Sequence, residues 1–204
     1  MTTLLSNHEA IVWWEFQHGK STSEIAEEYK SSHPIPPYVR DLLEKDTDGS
    51  QRQSDPSVVF TTKSGEPAVG YVSRVLNRAR EKIEKTLRDH ANSHRLDIES
   101  LQDYKGLLIG FDYQANAQVY IVYTMKSGVI VWYKHDSYAG KLCPDCPKES
   151  ECREALDAIM TEYGITLRPD EEKLYMTQQS IAIFGKLGNK EIPRYRRRED
   201  RESE

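Results

Sequence analysis

Apolar residues in the first part of the chain recur at helical spacing between short polar breaks. The spacing predicts a helix over 7–18, stopped by Gly19, and a second helix that begins within 21–23. A proline-rich, irregular stretch follows, and a short helix is indicated over 38–45. These residues therefore predict a small helical domain.

A longer and more regular pattern extends over 68–91. At about 100° per residue, one side of the predicted helix is apolar, with Val72, Leu76, Ala79, Ile83 and Leu87. The opposite side is basic, with Tyr71, Arg74, Arg78, Lys82 and Lys85. A helix with these two faces packs its apolar side on a core and presents its cations either to solvent or to phosphates.

The pattern changes after residue 107. Three runs dense in Val, Ile and aromatic residues, 107–113, 117–125 and 129–135, predict a three-stranded antiparallel sheet. Two further helices are predicted over 151–163 and 169–186. The fold class is therefore α+β, with a helical first domain, a long linking helix, and a second domain of sheet and helices.

Composition fits this division and limits the class of protein. We assign 1–92 to the first domain, 93–190 to the second, and 191–204 to a charged tail predicted to be disordered. The net charge of −5 argues against a uniformly basic surface but leaves room for a local basic face. No apolar run has the length of a membrane span and no signal peptide is evident, so we expect a cytoplasmic protein that does not enter the membrane.

Two segments carry a resemblance to a known family. The residues Gly19-Lys-Ser-Thr-Ser-Glu-Ile25-Ala26, followed later by Tyr71-Val-Ser-Arg-Val-Leu-Asn-Arg-Ala-Arg-Glu-Lys-Ile83, resemble the second and third helices of a helix-turn-helix. The pattern is that of sigma-factor-like and response-regulator-like transcription factors, many of them archaeal. The resemblance implies binding to double-stranded DNA. Its implied contacts are Tyr71, Ser73, Arg74, Asn77, Arg78 and Lys82.

A second choice of recognition helix stays open. The segment 38–44, directly after Pro37, has a more usual distance from the Glu-Ile-Ala helix, and it would make Tyr38 and Arg40 the contacts. In that version 57–69 would form a wing-like hairpin. The longer helix has the better basic face, and its apolar stripe could also serve as the seam of a homodimer.

All the cysteines lie in one short segment with the spacing Cys143-x2-Cys146-x5-Cys152, and His135 precedes them at the end of a predicted strand. Zinc accepts three thiolates and one imidazole in a tetrahedral site. The predicted position of Cys152 in the first turn of a helix favours its thiolate. The segment therefore predicts a zinc site formed by His135, Cys143, Cys146 and Cys152.

The same cysteine spacing leaves other chemistries open. It resembles the end of the iron–sulfur loop of endonuclease III-like glycosylases and the cluster motif of WhiB-like regulators, which implies an iron–sulfur cluster with His135, Asp136 or Asp145 in the place of a fourth cysteine. Redox-active thiols, or cysteines that bind nothing, are further alternatives.

The remaining polar and aromatic residues indicate no enzyme, because neither a nucleophile–base spacing nor a phosphate-binding loop is present in the sequence. Aromatic residues in the predicted sheet belong either to the core or to a pocket for a small-molecule effector. They are Tyr113, Tyr120, Tyr123, Trp132, Tyr133 and Tyr138.

The sequence as a whole predicts a sequence-specific DNA-binding transcriptional regulator whose second domain is stabilised by zinc. The main alternative is a zinc-stabilised module that binds protein and not DNA. An enzyme that acts on nucleic acid is the third interpretation, and it depends only on the glycosylase-like cysteine spacing.

Overall fold

The computed structural model describes residues 4–45, 57–135 and 141–192 and shows an α+β protein. The contacts divide the chain into two compact units: unit 1 comprises residues 1–79 and 191–204, and unit 2 comprises residues 80–190. The division falls inside a helix, whereas the sequence pattern placed the boundary at residue 92. The predicted disordered tail, from residue 193 onward, lies outside the described residues.

Unit 1 begins with three short helices, α1 (Asn7–Gln17), α2 (Thr22–Glu28) and α3 (Pro37–Lys45), which confirm the predicted ones. Ser21 caps α2: its hydroxyl accepts from the amide of Glu24 at 3.3 Å, and the Glu24 carboxylate accepts from the amide of Ser21 at 2.7 Å. This reciprocal arrangement satisfies two amides that the first helical turn leaves unpaired.

The segment between α2 and the long helix forms little regular structure. Two-residue strands, β1 (His33–Pro34) and β2 (Ser57–Val58), pair antiparallel, and an isolated bridge joins Thr61 to Pro67. The bridge closes a tight turn in which Gly65 has φ +80, a conformation that glycine adopts without strain. Residues 46–56, which follow α3, lie outside the described residues.

The long helix α4 (Val69–Ser93) contributes to both units. Its predicted apolar stripe is confirmed, because Val72, Leu76, Ala79, Ile83 and Leu87 are all 0% exposed. The candidate dimer seam is therefore buried within the chain itself. In unit 1 the helix adds to an apolar core that contains Leu5, Ile11, Trp13, Phe16, Ile25, Tyr29 and Phe60.

Unit 2 is built on a four-stranded antiparallel sheet in the order β3 (Asp97–Gln102), β4 (Leu107–Asp112), β5 (Ala117–Thr124), β6 (Gly128–Tyr133). The last three strands are the predicted ones. The prediction of three strands is wrong because β3 pairs with β4 as well. β3 is an edge strand rich in polar residues, so it lacks the dense apolar pattern of its neighbours.

Two helices follow the sheet, α5 (Glu149–Tyr163) and α6 (Met176–Asn189). The start predicted for α6 at residue 169 is wrong, because the helix begins at Met176. Leu174, before the helix, and Ile181, within it, are 41% and 43% exposed. The residues that α6 buries are Ile183, Phe184 and Leu187. The ring of Phe184 stacks on Tyr120 of β5 with centroids 4.3 Å apart, which joins helix to sheet.

A buried carboxylate joins α5 to the β5–β6 hairpin. Glu162 is 1% exposed, and its oxygens accept from the backbone amides of Met125 at 2.6 Å and Lys126 at 2.9 Å.

We expect Glu162→Gln to lower the free energy of unfolding by about 1–3 kcal/mol, because the side-chain amide would turn a donor toward a backbone amide that needs an acceptor. Urea denaturation measures this. Glu154→Gln, on the exposed face of the same helix, is the control, and equal stability of the two variants would contradict the expectation.

A second expectation concerns Lys190, whose ammonium donates to the carbonyl oxygen of Tyr163 at the end of α5. Burial, and then repulsion from Lys105, lowers the pKa of Lys190 from 10.5 to about 8. Between these values the unfolded chain holds the proton and the folded chain does not, so stability from this group rises with pH. The melting temperature of the wild type should therefore rise relative to that of Lys190→Met between pH 8 and pH 10. Melting temperatures that change with pH in the same way in both proteins would contradict this.

Among the helices in the described part of the chain, none combines the length and the apolar character needed to cross a membrane.

Candidate functional site

The part of α4 that lies in unit 1 has two opposite faces. Val72, Val75, Leu76 and Ala79 are 0% exposed, whereas the side chains of Arg74 and Arg78 are exposed. Within residues 4–45, 57–135 and 141–192, neither arginine forms a hydrogen bond or a salt bridge. Two uncompensated guanidinium groups one helical turn apart can contact phosphates or guanine edges.

The structure places the other predicted DNA contacts differently. The Tyr71 hydroxyl is 2.6 Å from Nδ1 of His8, at the start of α1. Ser73 is only 8% exposed, so we correct the prediction and exclude it from the surface. Asn77 is half-buried on the same side as the arginines, and Lys82 is exposed on the part of α4 that belongs to unit 2.

The alternative recognition helix, α3, has a different character. It starts at Pro37, soon after α2 ends at Glu28, and α1 contacts both α2 and α3. The Tyr38 ring stacks on Trp14 of α1 with centroids 4.8 Å apart. Val39 is buried, and Arg40 lies 3.9 Å from the carboxylate of Asp41. The helix order thus fits a compact trihelical arrangement, but α3 offers less positive charge than α4.

The cysteine segment lies in unit 2. Residues Cys143–Asp145 form one turn of 3-10 helix, and the amide of Cys146 donates to the carbonyl of Cys143 at 3.1 Å. Cys152 lies near the start of α5, as predicted, and its amide donates to the carbonyl of Lys148.

One small cavity is lined by all four predicted metal ligands, His135, Cys143, Cys146 and Cys152, together with Trp132 and Met176. Nδ1 of His135 is 2.7 Å from the carbonyl oxygen of Tyr133. A carbonyl can only accept, so in the neutral imidazole Nδ1 carries the proton and Nε2 keeps a lone pair for a ligand. Metal-bound histidines are commonly oriented by such a bond.

Trp132 adds an independent feature of the cavity. Its side chain is 7% exposed, and its Nε1 donor is buried without a hydrogen-bond partner in the described structure. A buried donor without an acceptor is costly, and a thiolate is one kind of group that can accept from an indole N–H.

The thiols themselves are not gathered tightly. Within the described ranges, the side chains of His, Cys, Asp and Glu form no group of three or more with the arrangement of a metal site. Burial raises the pKa of Cys152, and the proximity of Cys146 and Cys143 raises it further. The predicted effect of the helix start on this thiol is therefore outweighed by burial. Asp136, an alternative ligand, lies outside the described residues.

The sheet aromatics serve mainly in packing. Tyr120 and Trp132 contact Phe184 of α6, and the Tyr133 hydroxyl donates to Asp112 at 3.1 Å. Tyr113 is 73% exposed, and Tyr138 lies outside the described residues. The described aromatic residues thus do not enclose the effector pocket that the sequence left open.

Comparison of the chain with protein-family models, with curated proteins and with solved structures gave no match.

Proposed function

We propose that this chain is a sequence-specific DNA-binding regulator and that unit 1 contacts the DNA. The observation that carries the proposal is the exposed pair Arg74 and Arg78, which have no ion-pair partner among the described residues and lie opposite a fully buried stripe. A helix held in this way presents its cations on a rigid support. Such a support is what reading a DNA groove requires.

The distribution of charge favours contact with DNA through one local surface and not through a general attraction over the whole chain. The chain has a net charge of −5, so nonspecific attachment over the whole surface is disfavoured. Arg74 and Arg78 each carry the paired donors that fit the edge of guanine in the major groove. The two guanidinium groups therefore have the donors for base readout as well as for phosphate contact.

Selection from a pool of random duplexes tests the specific part of this proposal. The wild-type chain should enrich a defined sequence, and the Arg74→Ala/Arg78→Ala double variant should lose that enrichment. If the chain retains no duplex at low salt, the DNA-binding function is rejected. The protein-binding module is then the remaining function.

We further propose that unit 2 binds one zinc ion through His135, Cys143, Cys146 and Cys152. Three features support it: these side chains line a common cavity, the neutral imidazole of His135 has a lone pair on Nε2, and the buried Trp132 donor has no acceptor among the described residues. The cysteine side chains would have to rotate inward to coordinate the metal. Binding would also offset the mutual repulsion that opposes thiolate formation at Cys152.

A further inference from the structure

A second and larger cavity lies within unit 2, away from the cysteines. It is open to solvent, has a volume of about 530 Å³, and its lining includes Arg153, Met160, Ile165, Leu167, Glu172 and Gln179. These residues come from α5, from the loop that follows it, and from the region at the start of α6. The volume lies within the range of roughly 300–1,000 Å³ that is usual for sites that hold small molecules.

Arg153 is the cation in the lining of this cavity, and no carboxylate in the described part of the chain pairs with it. Its side chain is half-buried, and its one hydrogen bond among the described residues runs from Nη1 to Oε1 of Gln179, at 2.8 Å. Among the other arginines of unit 2, Arg80, Arg88 and Arg168 each lie within 4 Å of a carboxylate, and Arg95 is exposed to solvent. A guanidinium has five N–H donors, so most of those on Arg153 remain available to a ligand.

Gln179 fixes the orientation of Arg153. The glutamine is 3% exposed, and its Nε2 donates to the backbone carbonyl oxygens of Glu172 at 2.8 Å and Leu174 at 2.9 Å. Because both amide protons are engaged, Oε1 is held toward Arg153. A half-buried, oriented guanidinium is suited to bidentate binding of a carboxylate.

The rest of the lining restricts the kind of ligand. Met160, Ile165 and Leu167 provide apolar surface, which favours a ligand with an aliphatic or aromatic body. The exposed side chain of Glu172 also lines the cavity and disfavours a second negative charge on the ligand. A single carboxylate on an apolar body matches both features.

We propose that this cavity binds a small monocarboxylate with an apolar body, and that Arg153 pairs with its carboxylate. The assignment rests on residues of unit 2 alone and does not depend on DNA binding or on a metal at the cysteines. Gln179 acts as a positioning residue, since it orients Arg153 through a hydrogen bond.

Calorimetric titration of the full chain with hexanoate, hexan-1-ol and hexylamine tests this proposal. We expect saturable one-to-one binding of hexanoate, and affinities at least about tenfold weaker for the alcohol and the amine, which share the apolar chain but lack the carboxylate. Arg153→Gln should weaken hexanoate binding at least about tenfold, and Arg153→Lys should weaken it less.

Lys173→Gln is the matched control, because Lys173 is exposed, adjoins Glu172 in sequence and does not line the cavity. It removes the same charge and should leave hexanoate affinity unchanged. The melting temperature of each variant without ligand checks that the chain is folded. Equal affinity for hexanoate and hexan-1-ol would overturn the proposal, as would unchanged hexanoate affinity in a folded Arg153→Gln or Arg153→Lys protein.

Discussion

Replacement of Arg78 by alanine is expected to weaken binding of the selected duplex by about 1–3 kcal/mol, and Arg74→Ala should have an effect of the same size. Each change removes an exposed guanidinium from the face of α4 opposite its buried stripe, so the fold should remain intact. Fluorescence anisotropy with labelled duplex measures the affinity, and thermal melting confirms the folded state.

Arg88→Ala is the charge-matched control. Arg88 is exposed on the same helix, but it lies in unit 2 and is 3.0 Å from the carboxylate of Glu84. Its removal should leave DNA affinity nearly unchanged. A loss of binding in Tyr38→Ala or Arg40→Ala, with none in the two α4 variants, would move recognition to α3. Full affinity in all four variants would remove the DNA interpretation.

Removal of metal should produce the other large effect. If zinc holds the cysteine segment, the free energy of binding is part of the free energy of folding of unit 2, so a chelator should lower its melting temperature while leaving α1, α2 and α3 largely intact. Elemental analysis of protein prepared under reducing conditions should show stoichiometric zinc. An iron–sulfur cluster would instead colour the protein, and an absorption spectrum distinguishes the two.

Single substitutions should reproduce the effect of the chelator. We expect Cys146→Ser to lower the melting temperature as chelation does, His135→Ala to act more mildly because water can take its position, and Ser150→Ala, an exposed change in the same segment, to have no effect. Identical melting with and without chelator, together with a protein that contains neither zinc nor iron, would leave the cysteines as redox thiols or as residues without a ligand.

Predictions from the sequence were most accurate where one hydrophobic period extends over many residues. The stripe from Val72 to Leu87 repeats over several turns, and burial of all its members follows from that repeat. Strands β4, β5 and β6 were predicted because each contains a high proportion of apolar residues. The edge strand β3 has Asp97, Glu99 and Ser100 among its residues, and such a strand cannot be distinguished from a loop by its composition.

Helix α6 shows how a local signal can mislead. Pro169 fits the first position of a helix, but the carboxylate of Glu171 accepts from the amide of Arg168 at 2.7 Å and binds the ammonium of Lys186. These contacts hold the segment in turns, and the helix starts only after Tyr175. The partner Lys186 lies far along the chain, so the sequence pattern gave no sign of the interaction.

The candidate sites were predictable in different degrees. The cysteine spacing indicated a shared location, and the common cavity is consistent with it, whereas the unpartnered Trp132 donor could not be anticipated. Ser73 lies about 60° from Leu76 around the helix, so it flanks the buried stripe, and the two-face description overlooked this. The cavity at Arg153 is assembled from three separate segments, and no spacing in the sequence brings them together.

The salt dependence of DNA affinity shows whether Arg74 and Arg78 contact phosphates. A protein that contacts phosphates through arginines releases counterions, so the logarithm of its binding constant falls with the logarithm of salt by about 0.9 per contact. We predict a steep slope for the wild-type chain, reduced by about two in the Arg74→Ala/Arg78→Ala double variant and unchanged in Arg88→Ala. The proposal that unit 1 contacts DNA through these arginines would be contradicted if the chain bound no duplex at low salt. An equal slope in the wild type and the double variant would contradict it as well.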